Sequence, residues 1–271
     1  MENRKIIGIG RTAEIYDYSN GKILKLYRKH IEKIIAEREY AVNQVLMALN
    51  IRIPKCYDFI EENNRYGIVF EKITGKSMMR KLSEKPWQIK KTAKSLASIH
   101  LEIHKVTTNN LTDSKVRLKK NIESTNLLSR DIKDIILSGI DVLPDGNKLC
   151  HGDFHPDNIL TSGGNKHVID WMTATSGNPC SDLARTKILF QYGALPEEKS
   201  RMEKMITSYG RNILLKEYLK EYLKNSTIKR EEIGQWELPH MAARLIESIS
   251  NNEKEILLKK ITEKVKRGSI E

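Results

Sequence analysis

The stretch from Leu149 to Trp171 constrains this chain more than any other: Leu-Cys-His-Gly-Asp-Phe-His-Pro-Asp-Asn-Ile-Leu, a short turn, then His-Val-Ile-Asp-Trp. Gly152 and Pro156 make the backbone between Asp153 and Asn158 a shaped loop rather than a helix or strand. Beyond it, Ile159-Leu160-Thr161, the turn formers Ser162-Gly163-Gly164-Asn165, and His167-Val168-Ile169 read as a tight β-hairpin. A hairpin brings its two ends together. Asn158 and Asp170 should therefore face one spot although twelve residues separate them, with Asp153 just upstream.

Three oxygen-bearing side chains around one spot suit Mg²⁺, a hard cation that takes few protein ligands and completes its shell with water and phosphate oxygens. A carboxylate left over can receive a hydroxyl proton. Phosphoryl-transfer sites divide the labour in this way: Asp153 would orient and deprotonate an acceptor, and Asn158 and Asp170 would hold metal. Loop Asp and Asn residues also cap their own turns, but three of them at this spacing around a hairpin weigh for chemistry.

His-Gly-Asp-Phe-His-Pro-Asp-Asn-Ile-Leu followed by Val-Ile-Asp-Trp resembles the catalytic region of the aminoglycoside phosphotransferase and choline kinase family, relatives of the protein kinases. The resemblance implies an α+β, bilobal, protein-kinase-like fold. Residues 1–73 would form a small antiparallel-sheet lobe that binds nucleotide, and residues 74–271 a larger, mainly helical lobe for catalysis and acceptor binding. It implies ATP, with GTP not excluded, and Mg²⁺ as cofactors. Two positions depart from the family pattern: Ala13 stands where a third loop glycine is usual, and Trp171 follows the metal Asp.

Composition agrees with an enzyme of this kind. A chain of 271 residues, 39% hydrophobic and 30% charged, is ordinary for a soluble globular protein, and folding at this size buries roughly three quarters of the unfolded surface. The N-terminus lacks the apolar run of a signal peptide, and no stretch reaches transmembrane length. A cytoplasmic protein with no membrane partner is expected. Cys56, Cys150 and Cys180 are odd in number and form no Cys-x-x-Cys pair, which argues for free thiols rather than zinc or disulfides. The net charge of +12 raises nucleic acid or anionic lipid as a partner. The basic residues are mixed with acids, however, as in Glu253-Lys254-Glu255, a pattern of solvated helices that disfavours such a partner.

Taken in order, residues 5–27 read as two strands around Gly8-Ile9-Gly10-Arg11-Thr12-Ala13, then a hairpin turning at Ser19-Asn20-Gly21. A dinucleotide fold uses a similar glycine string but opens straight into a helix, whereas β-branched and aromatic residues continue here into a strand. The loop reads either as a plain hairpin or as a flap whose Gly8, Gly10, Arg11 and Thr12 backbone meets nucleotide phosphates. Lys25 lies between Leu24 and Leu26, on the opposite face from both. The resemblance gives Lys25 the grip on the α- and β-phosphates and makes Glu39 its helix partner, with Glu37 and Glu32 as competitors. Residues 31–49 carry Ile35, Val42, Leu46 and Leu49 at helical spacing. Strands follow at 53–60 and 66–71, and the next residues resemble the hinge where backbone groups near Glu71 and Ile73 would meet adenine. Gly75-Lys76-Ser77 is no P-loop, since that motif needs glycine where Phe70 stands.

Beyond the hinge the pattern is helical. Residues 87–106 place Ala93, Leu96, Ala97, His100, Ile103 and His104 on overlapping faces. His100 and His104 lack a third ligand in the neighbouring sequence and read as packed or partly exposed histidines. Helical segments continue from Leu111 to Leu143, and Ser181 or Asp182 is expected to cap a helix beginning at Leu183, with Asp182 structural. Only about a dozen residues separate that helix from Asp170, and neither Ala-Pro-Glu nor Asp-Phe-Gly occurs. The acceptor is therefore expected to be a small molecule rather than a protein. Late helices are expected over 202–223, 236–249 and 256–265. In the resembling family they wall the acceptor pocket, and Glu231, Glu232, Glu237 and Glu247 are the acids that could meet an aminated sugar.

The expected activity is thus transfer of the ATP γ-phosphate to a hydroxyl of a small polar molecule. An aminoglycoside is one candidate, with antibiotic resistance as its consequence. An amino alcohol, amino acid or simple sugar is the alternative acceptor. A non-catalytic nucleotide- or nucleic-acid-binding protein on the same scaffold is the non-enzyme alternative, and a monomer or weak dimer is expected.

Overall fold

The structure, a computed structural model, describes residues 4–49, 51–193 and 200–268. Residues 1–3, 50, 194–199 and 269–271 lie outside them. The first elements in chain order are β1 (Ile6–Ile9), β2 (Ala13–Tyr18), β3 (Lys22–Tyr27), α1 (Lys33–Met47), β4 (Cys56–Glu62), β5 (Arg65–Glu71), β6 (Lys76–Ser77) and α2 (Met78–Glu84). There follow α3 (Ile89–Lys105), α4 (Ser114–Ser124), α5 (Arg130–Val142), β7 (Lys148–Cys150), β8 (Ile159–Ser162), β9 (Asn165–Val168) and β10 (Thr175–Gly177). The chain closes with α6 (Pro179–Tyr192), α7 (Arg201–Lys224), α8 (Arg230–Gln235), α9 (Glu237–Arg244) and α10 (Asn251–Gly268). Two compact units form, residues 1–81 with 156–173, and residues 82–155 with 174–271.

The first unit holds a five-stranded antiparallel sheet in the order β1-β2-β3-β5-β4. Side chains alternate across a strand, and β3 shows the result. Leu24 and Leu26 pack with Val69 on one face. Ile23 and Tyr27 join Ile68, Phe70 and Ala36 of α1 on the other. Lys25 is carried on the second face, the one that α1 covers.

Helix α1 buries Ala36, Glu39, Asn43 and Leu46. Of the stripe expected from apolar periodicity, only Leu46 is buried; Ile35 is half-buried against the core, and Val42 and Leu49 are half-exposed. The helix is turned because a carboxylate, not an aliphatic side chain, sits at the middle of its packed face. Glu39 is sheltered there by charged and hydroxyl donors, which a count of apolar residues does not see.

The hairpin expected at the centre of the motif is β8–β9, paired from Ile159↔Val168 to Ser162↔Asn165. Its two-residue turn has Gly163 and Gly164 at φ 52° and 84°, the mirror-image turn that matches strand twist. β6 adds to the same sheet through Lys76↔Thr161 and Ser77↔Leu160. Just before it, a Cβ on Gly75 would lie 2.2 Å from the Thr161 carbonyl oxygen. Gly75→Ala should push β6 off β8 at a cost of about 1–3 kcal/mol, read as a lower urea midpoint. An unchanged midpoint would mean that the backbone there shifts without cost.

The second unit is helical around a small β7–β10 pair. α3 buries Ala93, Leu96, Ala97, His100, Ile103 and His104, the six positions its sequence singles out, and packs along α7. The helix after the motif starts earlier than expected. Asn178, not Ser181 or Asp182, is its cap: the Asn178 side chain accepts from the Cys180 N–H at 2.9 Å, and Pro179 fills the first helical position. Asp182 is thereby moved inside the helix and buried. The helix expected over 236–249 is shorter, α9 over Glu237–Arg244; α8 ends just before it at Gln235, and Pro239 would clash with the Gln235 carbonyl if one helix ran through. Cys56, Cys150 and Cys180 are buried free thiols, and among the described residues no helix is long and apolar enough to cross a membrane.

Candidate active site

Lys25 is the centre of the site in the first unit. Its Nζ donates to Glu39 Oε1 and Oε2 at 2.7 and 2.9 Å and to Asp170 Oδ1 at 3.0 Å. Glu39 is also the acceptor of the buried Tyr27 hydroxyl. Among the three glutamates considered, Glu39 is the one that pairs with Lys25; Glu37 pairs with Lys33. Burial works to depress the Lys25 ammonium, but Glu39 and then Asp170 outweigh it and keep the lysine charged.

Asp170 and Asn158 stand at the two feet of the hairpin. The Ile169 N–H donates to the Asn158 carbonyl at 2.9 Å, which holds the strand ends together. Asp170 takes φ 63°, a left-handed conformation that few residues other than glycine adopt and that Asp tolerates best. The next residue fixes this bend: the buried Trp171 indole donates to the Val168 carbonyl at 3.0 Å. The Asp170 side chain is 43% exposed while one of its oxygens meets Lys25. Asn158 offers an amide oxygen and Asp170 a carboxylate, hard donors that fit Mg²⁺, which needs few of them.

The glycine loop lies between β1 and β2. Gly10 N–H donates to the Ala13 carbonyl at 2.8 Å. Arg28 gathers the loop from β3's end: its N–H donates to the Thr12 carbonyl at 2.8 Å, and its guanidinium to the Arg11 and Gly10 carbonyls at 3.1 and 3.2 Å. Gly8 lies in β1 opposite Ile15. Glu71 ends β5 with its side chain accepting from the Lys55 N–H at 3.1 Å, and Ile73 follows, half-buried, before β6.

In the second unit the segment before Asp153 is held by its backbone. Asp182 accepts from the His151 N–H at 2.6 Å and from the Gly152 N–H at 2.8 Å. Arg185, one turn further along α6, donates to the Gly152 carbonyl at 3.0 Å. Gly152 is at φ 79°, so one residue is gripped at both its N–H and its C=O, in a conformation that suits glycine. Arg185 is braced in turn by Glu247 at 2.7 Å, Glu247 by Arg244 at 2.8 Å, and Arg244 by the buried Glu253 at 2.5 Å.

Asp153 itself donates its N–H to His151 Nδ1 at 3.1 Å, and its carboxylate lies 3.5 Å from His155 Nε2. Burial works against its charge, but the hydrogen bond from His155 and the fields of His155 and Arg185 outweigh it and hold the carboxyl below its ordinary value of 3.8. The sign is that of a depressed acid: the ionised form, with the stability it contributes, is fully present above the ordinary value and is lost only as pH falls beneath it. Rates measured from about pH 8 down to 5 should show no acid limb from Asp153. A limb in that range that moves on His155→Gln would reassign the titration to His155.

Asp182 and Arg185 were not singled out for a role in holding the loop. Their signal in the sequence is slight, an acid and a base three apart on a helix that also buries Leu183, Ala184, Ile188 and Phe190. Two of the four late glutamates expected to face an acceptor are instead spent on cations: Glu237 on Lys187 and Lys264, and Glu247 on Arg185 and Arg244.

An antiparallel sheet whose lysine is gripped by a helix glutamate, together with a mainly helical unit, is the protein-kinase-like fold. The sequence pattern of the phosphotransferase enzyme family matches residues 10–200, and the chain belongs to that family. No curated protein matches it in sequence. Among solved structures it is similar to an aminoglycoside-3'-phosphotransferase of type VIII, with a TM-score of 0.58 and 15% identity over 90% of this chain and 93% of that one. The APH(2")-IIa protein in its streptomycin–ATP ternary complex gives 0.60 and 14% over 97% and 91%. The macrolide 2'-phosphotransferase MphH of Brachybacterium faecium gives 0.50 and 15% over 94% and 90%.

Proposed function

We propose that this chain transfers the γ-phosphate of ATP to a hydroxyl of a small polar molecule. The observation that carries the reading is the Lys25 ammonium held jointly by Glu39 and Asp170, three residues from distant parts of the sequence. In a kinase-type site the lysine grips phosphate while the aspartate faces metal. Residues 1–73 bind nucleotide, with Gly8, Gly10, Arg11 and Thr12 over the phosphates and the backbone near Glu71 and Ile73 against the base. Residues 74–271 supply catalysis and acceptor binding.

Asn158 and Asp170 would hold Mg²⁺, which when bound neutralises phosphate charge. The chain's own residues do the rest. Lys25 draws electron density from the phosphates, and it stays protonated because two carboxylates face it. Asp153 accepts the hydrogen bond of the acceptor hydroxyl, orients its oxygen and takes the proton as the phosphoryl group arrives. Its depressed pKa makes it a weak base, so orientation is the larger part of its contribution and proton transfer comes late.

The solved complexes of similar fold make aminoglycosides the first acceptors to try. A screen with purified protein and γ-labelled ATP over aminoglycosides, macrolides, amino alcohols, amino acids and simple sugars tests the reading, with GTP run in parallel. Label transfer to one class identifies the acceptor. If no class is labelled and no nucleotide is turned over, the enzyme reading fails.

A further inference from the structure

The buried interior of the second unit holds a polar cluster that takes no part in the chemistry described above. His100 and His104 sit one turn apart on α3 with ring centroids 4.1 Å apart. Both aim Nε2 at the same atom, Asp182 Oδ2 on α6, at 3.0 and 3.3 Å. Their Nδ1 atoms meet tyrosine hydroxyls on α7, His100 with Tyr218 at 2.5 Å and His104 with Tyr222 at 2.7 Å. All five side chains are buried.

With both rings neutral, the chemistry of the groups fixes the direction of every bond. A carboxylate can only accept, so each Nε2 carries a hydrogen. A neutral imidazole has a single N–H, so each Nδ1 must accept and each tyrosine hydroxyl must donate. Burial, reinforced by the neighbouring His104, lowers the His100 pKa to about 3 against the opposing pull of Asp182, which leaves this imidazole neutral. Burial alone would raise the Asp182 carboxyl, but the imidazoles outweigh it and keep it ionised.

We propose that Tyr218–His100 and Tyr222–His104 are two parallel hydrogen-bond relays whose members are positioning residues for Asp153, acting through Asp182. Oδ2 of that carboxylate accepts from both imidazoles and from the His151 N–H, and Oδ1 accepts from the Gly152 N–H. With its third side occupied by fixed donors, the carboxylate has one orientation, and so do the two peptides it grips. His100 reaches the loop a second way, since its ring stacks on Phe154 with centroids 3.9 Å apart and planes at 22°. Asp153 is thus bracketed, by peptides held through Asp182 before it and by a ring held on His100 after it. Helix α7 sets the geometry of a carboxylate it does not supply. The role in turnover rests on the reading of Asp153 as the proton acceptor; the relay itself does not.

The two imidazoles and the carboxylate, with ligand atoms within 4.8 Å of one another, also have the make-up of a metal site. An ion there would need both Nε2 lone pairs, which reverses both tautomers and makes the tyrosines acceptors.

Nitrogen-15 labelling of the histidines in the full chain separates the two. Two-bond ¹⁵N–¹H correlations at about pH 7 should show His100 and His104 as neutral Nε2–H tautomers, with no stoichiometric zinc by elemental analysis. Nδ1–H tautomers, doubly protonated rings or one bound zinc per chain would overturn the relays. The second limb uses Tyr218→Phe, Tyr222→Phe and the double variant, which keep the rings. Each single change should lower turnover about three- to tenfold, and the double more, with nucleotide KM unchanged. In the same variants, amide hydrogen exchange at His151 and Gly152 should quicken while α3 stays protected. A double variant with wild-type turnover and wild-type exchange at those amides, or one whose losses spread evenly over the unit, would overturn the positioning role. If the wild-type protein turns over no acceptor, the proposed activity fails, and the tautomers and amide exchange still decide the relays.

Discussion

Asp153→Ala is expected to lower phosphoryl transfer by about 10²- to 10⁴-fold while nucleotide affinity and folding stay close to wild type. The loop is held at backbone atoms of His151 and Gly152 by Asp182 and Arg185, and none of these bonds uses the Asp153 side chain. Removing that carboxylate does not leave Arg185 uncompensated, because Glu247 pairs with it at 2.7 Å. Asp153→Asn sharpens the result. It keeps shape and hydrogen-bonding reach but neither charge nor basicity, so a loss as large as alanine's assigns the effect to the anion, and partial recovery assigns it to orientation. Single-turnover transfer with saturating acceptor is the measurement. An alanine variant within about threefold of wild type would remove Asp153 from the mechanism, since even modest acid–base assistance exceeds that.

The second large effect concerns stability. Glu39→Leu should destabilise the first unit by about 3–5 kcal/mol, the range for removing one partner of a buried pair. Lys25 is only 14% exposed and Glu39 2%, and the Tyr27 hydroxyl loses its acceptor as well. With Glu39 gone, burial is opposed by Asp170 and Tyr27 without the main partner, so the Lys25 ammonium is less well kept; the loss is fully present where Lys25 is protonated and shrinks as pH rises toward the point where the wild-type ammonium is itself lost. Adding Lys25→Met to Glu39→Leu removes the stranded charge and should recover most of the lost stability without recovering activity. Urea unfolding of the two single variants and the double gives the coupling. If the double variant is no more stable than Glu39→Leu alone, the pair is not what holds α1 against β3.

What could be read from the sequence was what short-range rules govern. The Gly163-Gly164 turn fixes a hairpin by conformational preference alone, and the hairpin joins the Asn158 backbone to that of Ile169, next to Asp170. Strand alternation put Lys25 on the face away from Leu24 and Leu26, and helical periodicity named all six buried positions of α3. The misses have a common cause. Glu39 and Asn43 replace aliphatics in the α1 stripe, Asp182 is drawn into the core of α6, and two late glutamates turn inward to arginine and lysine. Glu39, Asp182, Glu237 and Glu247 are made tolerable by partners on other elements, and Asn43 by the Glu39 carbonyl one turn back, none of which an apolar period encodes. His100 and His104 were placed correctly on their helix, but their shared acceptor lies 78 positions or more further on. Pro239 was legible too: its clash with the Gln235 carbonyl bars a helix from running through, and α9 starts afresh at Glu237 after α8 has ended.

The ladder that leads from Gly152 through Arg185, Glu247 and Arg244 ends on Glu253, at the start of α10. The final helix is therefore working machinery and not a tail. A version of the protein cut short before it would retain Lys25, Asp153, Asn158 and Asp170, yet its arginine brace would be loose at the far end. Changes that remove Glu253 are expected to be felt at Gly152, where the ladder begins.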